Sequence, residues 1–324
     1  MKKQKVSKQM YIDWYMVAPG VWRIKDLFVN IYLVHNPSDN KWVLVDAGLK
    51  TSGAKIKKVA ELLFWPETTP SAIVLTHAHF DHVGSLKSLA EEWDVPIYAH
   101  ALEKPYLTGV SKYPPPDPSV GGGLMSLLSF TYPRGPIDVA DRLVILPEDG
   151  SIPMLPEWRF IHTPGHAPGH ISLFRQRDKL LLAGDAFVTT CQESAFSVMM
   201  QKKELNGPPK YYTYNWQSAE RSVKLLADLE PEIAATGHGK PMAGESMRQA
   251  LRELANNFHE HAIPNSGRYV GDPALVNYQG VQYTPPSKAA NLVLTTVGIA
   301  AAAVLGFLLA KNRRKVGDWV GKFA

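Results

Sequence analysis

Four side chains that can ligate a metal are crowded into one short segment, T-H-A-H-F-D-H-V-G at residues 76–84. They are His77, His79, Asp81 and His82, which combine imidazole nitrogens with a carboxylate. This donor set suits zinc, manganese or iron(II). The alternative is a surface loop that happens to be rich in histidine, and the further candidate ligands downstream count against it. We therefore predict a metal centre built on this segment.

The candidate ligands follow apolar runs that are typical of buried strands. Residues 72–75 precede the histidine segment, residues 43–45 precede Asp46, and residues 180–183 come shortly before Asp185. A loop at the end of a strand lets a rigid scaffold aim a functional side chain. Helical stretches alternate with these runs, for example at 86–93, and this rhythm fits a layered α/β architecture.

Together these features resemble the metallo-β-lactamase superfamily. The family motif His-x-His-x-Asp-His matches residues 77–82 without a gap. Four further motifs match in the expected order: Asp46 in V-L-V-D-A-G-L, His166 in H-T-P-G-H-A-P-G-H, Asp185 in L-L-L-A-G-D-A-F and His238 in A-A-T-G-H-G-K-P. The resemblance covers residues 15–262 and implies an α/β fold, the four-layer αββα sandwich of that superfamily.

The resemblance also implies two metal positions with a shared bridging ligand. The first position would be held by His77, His79 and His166. The second would be held by Asp81, His82 and His238. Asp185 would bridge them. Two Zn2+ ions per chain are expected, with Mn2+ or Fe2+ as alternatives, and a metal-bound hydroxide would then be the nucleophile.

Two aspartates are expected to take part in catalysis. Asp81 would also pass a proton to the leaving group, in addition to its place in the ligand set. Asp46 would support the ligand histidines from behind, since such carboxylates fix the orientation of metal-bound imidazole. The alternative for Asp46 is a plain turn residue at the end of a strand.

The predicted function is a metal-dependent hydrolase acting on an ester, thioester, lactone or phosphoester of a small molecule. The alternative is a mononuclear-iron oxidoreductase of the same superfamily, similar to persulfide dioxygenases. The complete set of seven ligands favours two ions over one. No nucleic-acid partner is expected, because the sequence has no obvious room for the insert domain typical of nucleic-acid-processing relatives.

Two segments outside the ligand motifs offer candidate walls for the site. The tyrosines at 211, 212 and 214 could donate to a developing oxyanion or simply cover the core, and both interpretations stay open. Residues 113–123 are dense in proline and glycine, and an apolar run follows at 124–130. Such a segment is typical of a lid or a substrate wall, and it suggests an amphiphilic substrate. Cys191 is interpreted as a small buried thiol rather than a ligand.

Composition and charge suggest one large domain with appendages. The chain has 324 residues, of which 45% are hydrophobic and 20% charged, and its formal net charge is +5. Basic residues crowd both ends, which suits an anionic membrane surface as well as nucleic acid. The uncharged run at 292–310 would span about 28 Å as a helix, close to the hydrocarbon core of a bilayer. The alternative is a buried core helix.

We therefore expect a membrane-anchored protein with a single C-terminal transmembrane helix. Gly298, Ala302 and Gly306 recur every fourth residue and predict a weak homodimer through that helix, unless they merely face lipid. No export signal is recognised at the start, so the catalytic domain is expected in the cytoplasm, although the basic residues after the span favour the opposite orientation.

The expected organisation has five parts. They are a basic extension at 1–14, the catalytic domain at 15–262 closed by a helix at 242–261, a tether at 263–290, the transmembrane helix at 291–310 and a basic tail at 311–324.

Overall fold

The computed structural model describes residues 12–288. These residues fall almost entirely in one compact unit that ends at Pro285, and a second unit begins at Pro286. The predicted transmembrane helix, the basic tail and nearly all of the basic extension lie outside the described residues. The same is true of Gly298, Ala302 and Gly306, so the predicted homodimer stays a prediction.

Seven strands form the first sheet, and they lie side by side in chain order. Neighbouring strands among the first four pair antiparallel, and neighbouring strands among the last four pair parallel. The strands are β1 (Asp13–Ala18), β2 (Val21–Asp26), β3 (Val29–Asn36), β4 (Lys41–Val45), β5 (Ala72–Val74), β6 (Ile97–Ala99) and β7 (Leu143–Ile145).

Five strands form the second sheet, in the order β12-β11-β10-β9-β8. Its members are β8 (Trp158–His162), β9 (Ile171–Arg175), β10 (Leu180–Gly184), β11 (Ile233–Thr236) and β12 (Met242–Ala243). Only β10 and β11 pair in parallel. A separate hairpin follows, made of β13 (Leu275–Asn277) and β14 (Gly280–Tyr283).

Nine α-helices occur within the described residues. They are α1 (Gly53–Leu63), α2 (Phe80–Val83), α3 (Leu86–Trp93), α4 (Lys104–Leu107), α5 (Leu124–Leu127), α6 (Ala195–Met200), α7 (Trp216–Asp228), α8 (Glu245–Asn256) and α9 (Phe258–His261). The longest, α7, has 13 residues.

The layers follow from the alternation of side chains along the strands. In β4, Val43 and Val45 belong to a core cluster that also contains Leu180 and Leu182 of the second sheet. Leu44, between them, belongs to a different cluster that includes residues of α1 and α3. The cluster that contains Leu44 also contains residues of β10, α7 and α8. Helices thus cover the outer face of each sheet, and the predicted αββα sandwich is confirmed.

Two regions at the end of the catalytic unit differ from expectation. The helix expected over 242–261 is divided into β12, α8 and α9, because Met242–Ala243 extends the second sheet. In the segment expected to be a tether, Tyr269 and Ala274 are buried. Ala274 donates its backbone N–H to the Tyr214 carbonyl at 3.1 Å, so this stretch packs on the catalytic unit.

None of the helices in residues 12–288 is long and apolar enough to cross a bilayer. Even α7 would span only about 20 Å, against about 30 Å for the hydrocarbon core. The predicted location, a single-pass membrane anchor with a cytoplasmic catalytic domain, is corrected on this finding and is not retained. The run at 291–310 itself lies outside the described part of the chain.

Candidate metal centre

The predicted ligands come together at one edge of the sandwich, where parallel strands end. In the first sheet, β4 and β5 pair in register at Val45 and Val74, and they lead into Asp46 and the 76–82 segment. In the second sheet, β10 and β11 pair in parallel and lead into Asp185 and His238. The carboxyl ends of parallel strands meet at one edge, so four separate loops converge there.

The converging side chains form three overlapping groups whose potential ligand atoms lie within 4.8 Å of one another. All seven residues in these groups are buried. The groups are His77–His79–His166, His77–His82–Asp185 and Asp81–His82–His238. Cys191 belongs to none of the groups found among the described residues. The structure therefore brings all seven predicted ligands to one place, while their role as ligands stays a prediction.

The Asp185 carboxylate lies at the middle of the cluster. Its Oδ2 atom is 3.0 Å from His238 Nε2, 3.4 Å from His166 Nε2 and 3.7 Å from His82 Nε2. The Asp81 Oδ2 atom lies 3.5 Å from His238 Nε2. Asp185 thus faces histidines of both predicted positions, as a bridging ligand would.

Buried polar atoms without a hydrogen-bond partner test whether the cluster suits a cation. Four such atoms belong to the cluster: His77 Nε2, His82 Nε2, His166 Nδ1 and Asp185 Oδ1. Leaving a buried polar atom unpaired costs about 1–3 kcal/mol. In addition, His79 Nδ1 and His166 Nε2 are only 2.9 Å apart. A bound cation would accept the lone pairs of His77 Nε2 and His82 Nε2. Imidazole with carboxylate is a donor set for zinc, manganese or iron.

Hydrogen bonds behind the histidines fix which ring nitrogen faces the centre. His82 Nδ1 donates to Asp46 Oδ2 at 2.8 Å, and His238 Nδ1 donates to the Phe28 carbonyl at 2.7 Å. His79 Nε2 contacts the Tyr214 hydroxyl at 3.2 Å. Such partners set the tautomer and the basicity of a metal-binding imidazole.

Asp46 is placed as the sequence suggested, behind the cluster rather than inside it. Its backbone adopts a left-handed conformation, with φ of 62°. The carboxylate accepts from the Thr76 N–H and the Thr76 hydroxyl, both at 2.8 Å, as well as from His82. The side chain therefore joins the end of β4 to the beginning of the histidine segment.

Burial and the neighbouring charges set the protonation of the cluster. Burial lowers the pKa values of His77, His79 and His166, so these rings are neutral and can use a lone pair as ligand. Burial would also lower the pKa of His82, but Asp46, Asp185 and Asp81 outweigh it and raise that pKa well above the usual value. For Asp185, burial alone would raise the pKa, and His238 and His82 reverse this and lower it.

Glu103 is a supporting residue that no sequence motif indicated. Its buried carboxylate accepts the Ala78 N–H at 3.0 Å and the Gly169 N–H at 2.7 Å, so it ties together the two loops that carry His79 and His166. Tyr113 also donates its hydroxyl to this carboxylate. Burial raises the pKa of Glu103 to about 7. Because Glu103 lies outside the ligand motifs, only its burial could have revealed it.

A second supporting network reaches the loop of His238. Asn30 donates its amide to the carbonyl oxygens of Thr236 at 2.8 Å and Gly239 at 2.6 Å. The fully buried Arg23 holds the Asn30 side chain from behind at 2.8 Å. The sequence gives no local signal for this network, since Asn30 lies in β3, 206 positions before Thr236.

His170 and Gly237 show how closely the loops fit. His170 Nε2 accepts the Asp185 N–H at 2.8 Å and so helps hold the backbone of the central carboxylate. At Gly237, an added Cβ would lie 2.0 Å from Asp185 Oδ1. Any side chain at 237 would therefore displace the carboxylate at the middle of the cluster.

Aromatic rings form the wall above the cluster. The cavity over the ligands is lined by Phe28, Phe80, Met125, Tyr132, Pro209, Tyr211 and Tyr212. The Tyr212 ring stacks on His79 with centroids 4.4 Å apart, and its hydroxyl donates to the Pro133 carbonyl at 3.1 Å. The hydroxyls of Tyr212 and Tyr214 thus have partners in the protein, which favours the structural interpretation for these two.

Comparison with known families agrees with this arrangement. The sequence profile described as "Metallo-beta-lactamase superfamily" matches residues 24–238, from β2 to the last predicted ligand. The chain belongs to the metallo-beta-lactamase superfamily.

Relatives in this superfamily carry hydrolase names. The Probable metallo-hydrolase YflN of Bacillus subtilis (strain 168) is 46% identical over 242 residues, which cover 74% of this chain and 92% of the relative. The Probable metallo-hydrolase YqgX of the same organism is 32% identical, over 68% of this chain and 90% of its own length. The Hydroxyacylglutathione hydrolase of Nitrosomonas eutropha (strain DSM 101675 / C91 / Nm57) is 26% identical, over 76% of this chain and 84% of its own length.

A solved structure supports the metallo-beta-lactamase fold. It is described as a B3 metallo-beta-lactamase with an active-site glutamic acid, and it superposes with a TM-score of 0.52. The match covers 75% of this chain and 87% of that protein at 15% identity, so the likeness concerns the fold alone.

Proposed function

We propose that this protein is a metal-dependent hydrolase that binds two ions and cleaves an ester, thioester, lactone or phosphoester of a small molecule. Zinc is the expected metal, with manganese or iron(II) as alternatives. The observation that carries the proposal is the set of three overlapping, buried ligand groups. When bound, the ions would lower the pKa of coordinated water and polarise the carbonyl or phosphoryl oxygen of the substrate.

The predicted ligands form two sets, one for each proposed ion. His77, His79 and His166 would hold the first, and Asp81, His82 and His238 would hold the second. Asp185 would contact both, in keeping with its place between the two sets of histidines.

Asp81 is the proposed proton carrier. It lines the cavity above the cluster, and burial raises its pKa above the usual value for an aspartate. A carboxylate at this place can pass a proton to a leaving group within hydrogen-bond reach.

The aromatic wall would keep bulk water away from the bond that breaks. Phe80 and Tyr212 line the same cavity as Asp81 and His238. Excluding water strengthens the electrostatic interactions within such a site.

The superfamily relatives named as metallo-hydrolases support hydrolysis as the reaction class. The alternative is an iron-dependent oxidoreductase with a single ion. That enzyme would leave the group Asp81–His82–His238 without an ion, although all three residues are buried and converge. The second ligand group therefore favours the hydrolase.

The test is a panel of bond types with protein that has been freed of metal and then reloaded. The panel contains p-nitrophenyl acetate, an acetyl thioester, a γ-lactone and bis(p-nitrophenyl) phosphate. We expect at least one substrate to be turned over with zinc, no turnover after chelation, and recovery on adding zinc back. The variant His77→Ala is expected to be inactive, whereas His259→Ala, at an exposed position outside the cluster, keeps full activity.

An inert panel with every metal would contradict the proposal. Oxygen uptake with a persulfide substrate and one bound iron would then assign the protein to the oxidoreductase alternative.

A further inference from the structure

Seven large apolar side chains are exposed on two segments, and we call this surface the apolar lip. The first segment contributes Leu124, Leu127, Leu128 and Phe130, and the second contributes Phe196, Met199 and Met200. Phe130, Phe196 and Met199 are 67%, 66% and 70% exposed. A folded protein seldom leaves several large apolar side chains together in water unless a ligand or partner covers them.

The first segment of the apolar lip is also part of the cavity over the metal centre. Met125 of α5 lines that cavity together with His79, Asp81 and His238. Tyr132 lines it too, and its hydroxyl donates to the Met125 carbonyl at 3.0 Å. Between these two residues, Leu127 and Phe130 point their side chains to solvent. The same short segment thus lines the cavity with Met125 and Tyr132 and exposes Leu127 and Phe130 to solvent between them.

The second segment is held directly against the first. Met125 donates its N–H to the Glu193 carbonyl at 3.1 Å, and Ser194 caps the beginning of α6. At Gly123 an added Cβ would lie 2.5 Å from the same Glu193 carbonyl, so the two backbones are in close contact. In α6, Phe196, Met199 and Met200 have the spacing that places side chains on one helix face. The apolar lip is therefore continued by a helix face fixed at its edge.

The cavity itself lacks the side chains that recognise an anionic group. Among the described residues that line it, none is Lys or Arg. Phosphoryl groups are commonly bound by Arg or Lys side chains. An aromatic wall without Lys or Arg therefore favours a neutral carbonyl substrate over a phosphoester.

Building on the proposed function, we propose that the substrate is a carboxylic ester, thioester or lactone whose apolar chain lies along the apolar lip. The continuity of the lip with the cavity wall carries this assignment. The flexible thioether side chains of Met125, Met199 and Met200 suit chains of different shape. In the reaction, water oxygen bonds to the acyl carbon, the acyl C–O or C–S bond breaks, and a proton goes to the leaving alcohol or thiol.

The first experiment measures chain binding without catalysis. Calorimetry with 1-decanol is performed on metal-free and on zinc-loaded protein, at decanol concentrations below aggregation. We expect binding with a negative heat-capacity change in both forms. The triple variant Leu127→Ser/Phe130→Ser/Met199→Ser is expected to bind decanol about tenfold more weakly or worse, because each substitution removes apolar surface from the contact.

The second experiment measures kcat/KM for p-nitrophenyl esters from acetate to decanoate. We expect kcat/KM to rise about twofold for each added methylene that becomes half buried, and about fourfold if it is fully buried. The triple variant is expected to reduce the decanoate-to-acetate ratio of kcat/KM by about tenfold or more, in proportion to its loss of decanol binding.

The matched control is the triple variant Leu62→Ser/Leu225→Ser/Leu275→Ser, which removes three exposed leucines from α1, α7 and β13. It is expected to keep the decanol affinity and the chain-length profile of the unmodified protein. A circular dichroism melt checks that both triple variants are folded.

Each outcome decides a different point. Decanol binding that depends on the lip, with no hydrolysis of any ester, thioester, lactone or phosphoester, would overturn the proposed hydrolase while leaving the chain-binding surface supported. Hydrolysis of p-nitrophenyl acetate, with a kcat/KM that does not depend on chain length and with no decanol binding, would overturn the lip proposal while the hydrolase stands. A dimer that only the lip variant breaks, together with a flat profile, would assign the surface to a second copy of the chain and overturn the proposal.

Discussion

The ligand cluster and the apolar lip are neighbours that are built in opposite ways. In the cluster, every predicted ligand is buried, and the rings of His82 and His238 are each fixed by a hydrogen bond from behind. In the lip, the side chains are exposed and apolar, so they can adjust to what they contact. The cavity wall formed by Met125 and Tyr132 joins the two.

This difference suggests a division of labour. A reaction centre needs ligands held within fractions of an ångström, which requires supporting hydrogen bonds. A surface that selects an apolar chain needs contact area and tolerates movement. We therefore expect substitutions in the cluster to change metal binding and turnover, and substitutions in the lip to change only the preference for chain length.

The largest effect is expected from Asp185→Ala, which removes the carboxylate at the middle of the cluster. Loss of an outer partner costs about 10- to 100-fold in metal affinity, so loss of this central ligand should cost more. Metal content is measured by mass spectrometry, and decanol binding is expected to be unchanged. Asp228→Ala, on the exposed face of α7, serves as the control. Normal metal content in Asp185→Ala would show that the cluster is not the metal site.

The next effect concerns Glu103 and stability. Its folded-state pKa is raised from 4.5 to about 7 by burial, so the folded protein holds this proton more tightly than the unfolded chain does. The stabilisation is complete below pH 4.5 and is lost as pH rises through about 7. The free energy of unfolding is expected to differ by about 3 kcal/mol between pH values below 4.5 and pH values above about 7, through Glu103 alone.

The measurement compares urea unfolding of the unmodified protein and Glu103→Gln from pH 4.5 to 8. The variant should gain stability relative to the unmodified protein as pH rises, since Gln cannot ionise. Titrations common to both proteins cancel in this comparison. A stability difference that does not change with pH would mean that Glu103 is ionised throughout and ties the two loops together as a carboxylate.

A smaller effect is expected from Asp46→Asn, which removes the charge that faces His82 Nδ1. Metal affinity should fall by about 10- to 100-fold, the usual cost of losing a carboxylate behind a metal-binding histidine. The ratio of kcat/KM between long and short esters should stay the same, because the lip is untouched. The control is Asp39→Asn at an exposed turn. An affinity within about twofold of the unmodified protein would return Asp46 to the role of a plain turn residue.

The smallest effect is expected from a single lip substitution, Phe130→Ser. Decanol binding should weaken by about two- to fivefold, since a partly exposed phenyl ring contributes only part of its transfer free energy. Metal content should be unchanged. If Phe130→Ser lowered metal affinity as strongly as Asp46→Asn, the separation between cluster and lip would fail.

Much of the sandwich and of the cluster could be predicted from the sequence. Apolar runs such as 43–45 and 72–75 formed strands close to the expected bounds, because a buried strand needs a continuous apolar stretch. The spacing of His77, His79, Asp81 and His82 identified the cluster because one short loop contributes four of its members. His166, Asp185 and His238 followed from the ordered motifs.

The supporting residues could not be predicted, because their contacts join distant parts of the chain. Glu103 reaches Gly169 across 66 positions, and Asn30 reaches Thr236 across 206. No local pattern marks such a pair. The hairpin at 275–283 was also missed, because a segment that contains proline and glycine is typical of a linker. The residues just before the hairpin pack on the catalytic unit instead, where Tyr269 and Ala274 are buried.

The most direct test of the account is the number of ions bound per chain, by mass spectrometry on protein purified without added metal. We predict two ions per chain in the unmodified protein and about one in His238→Ala, because that substitution removes a ligand from only one of the two sets. A single iron in both proteins, with no hydrolysis of any panel substrate, would contradict the paired-ion hydrolase.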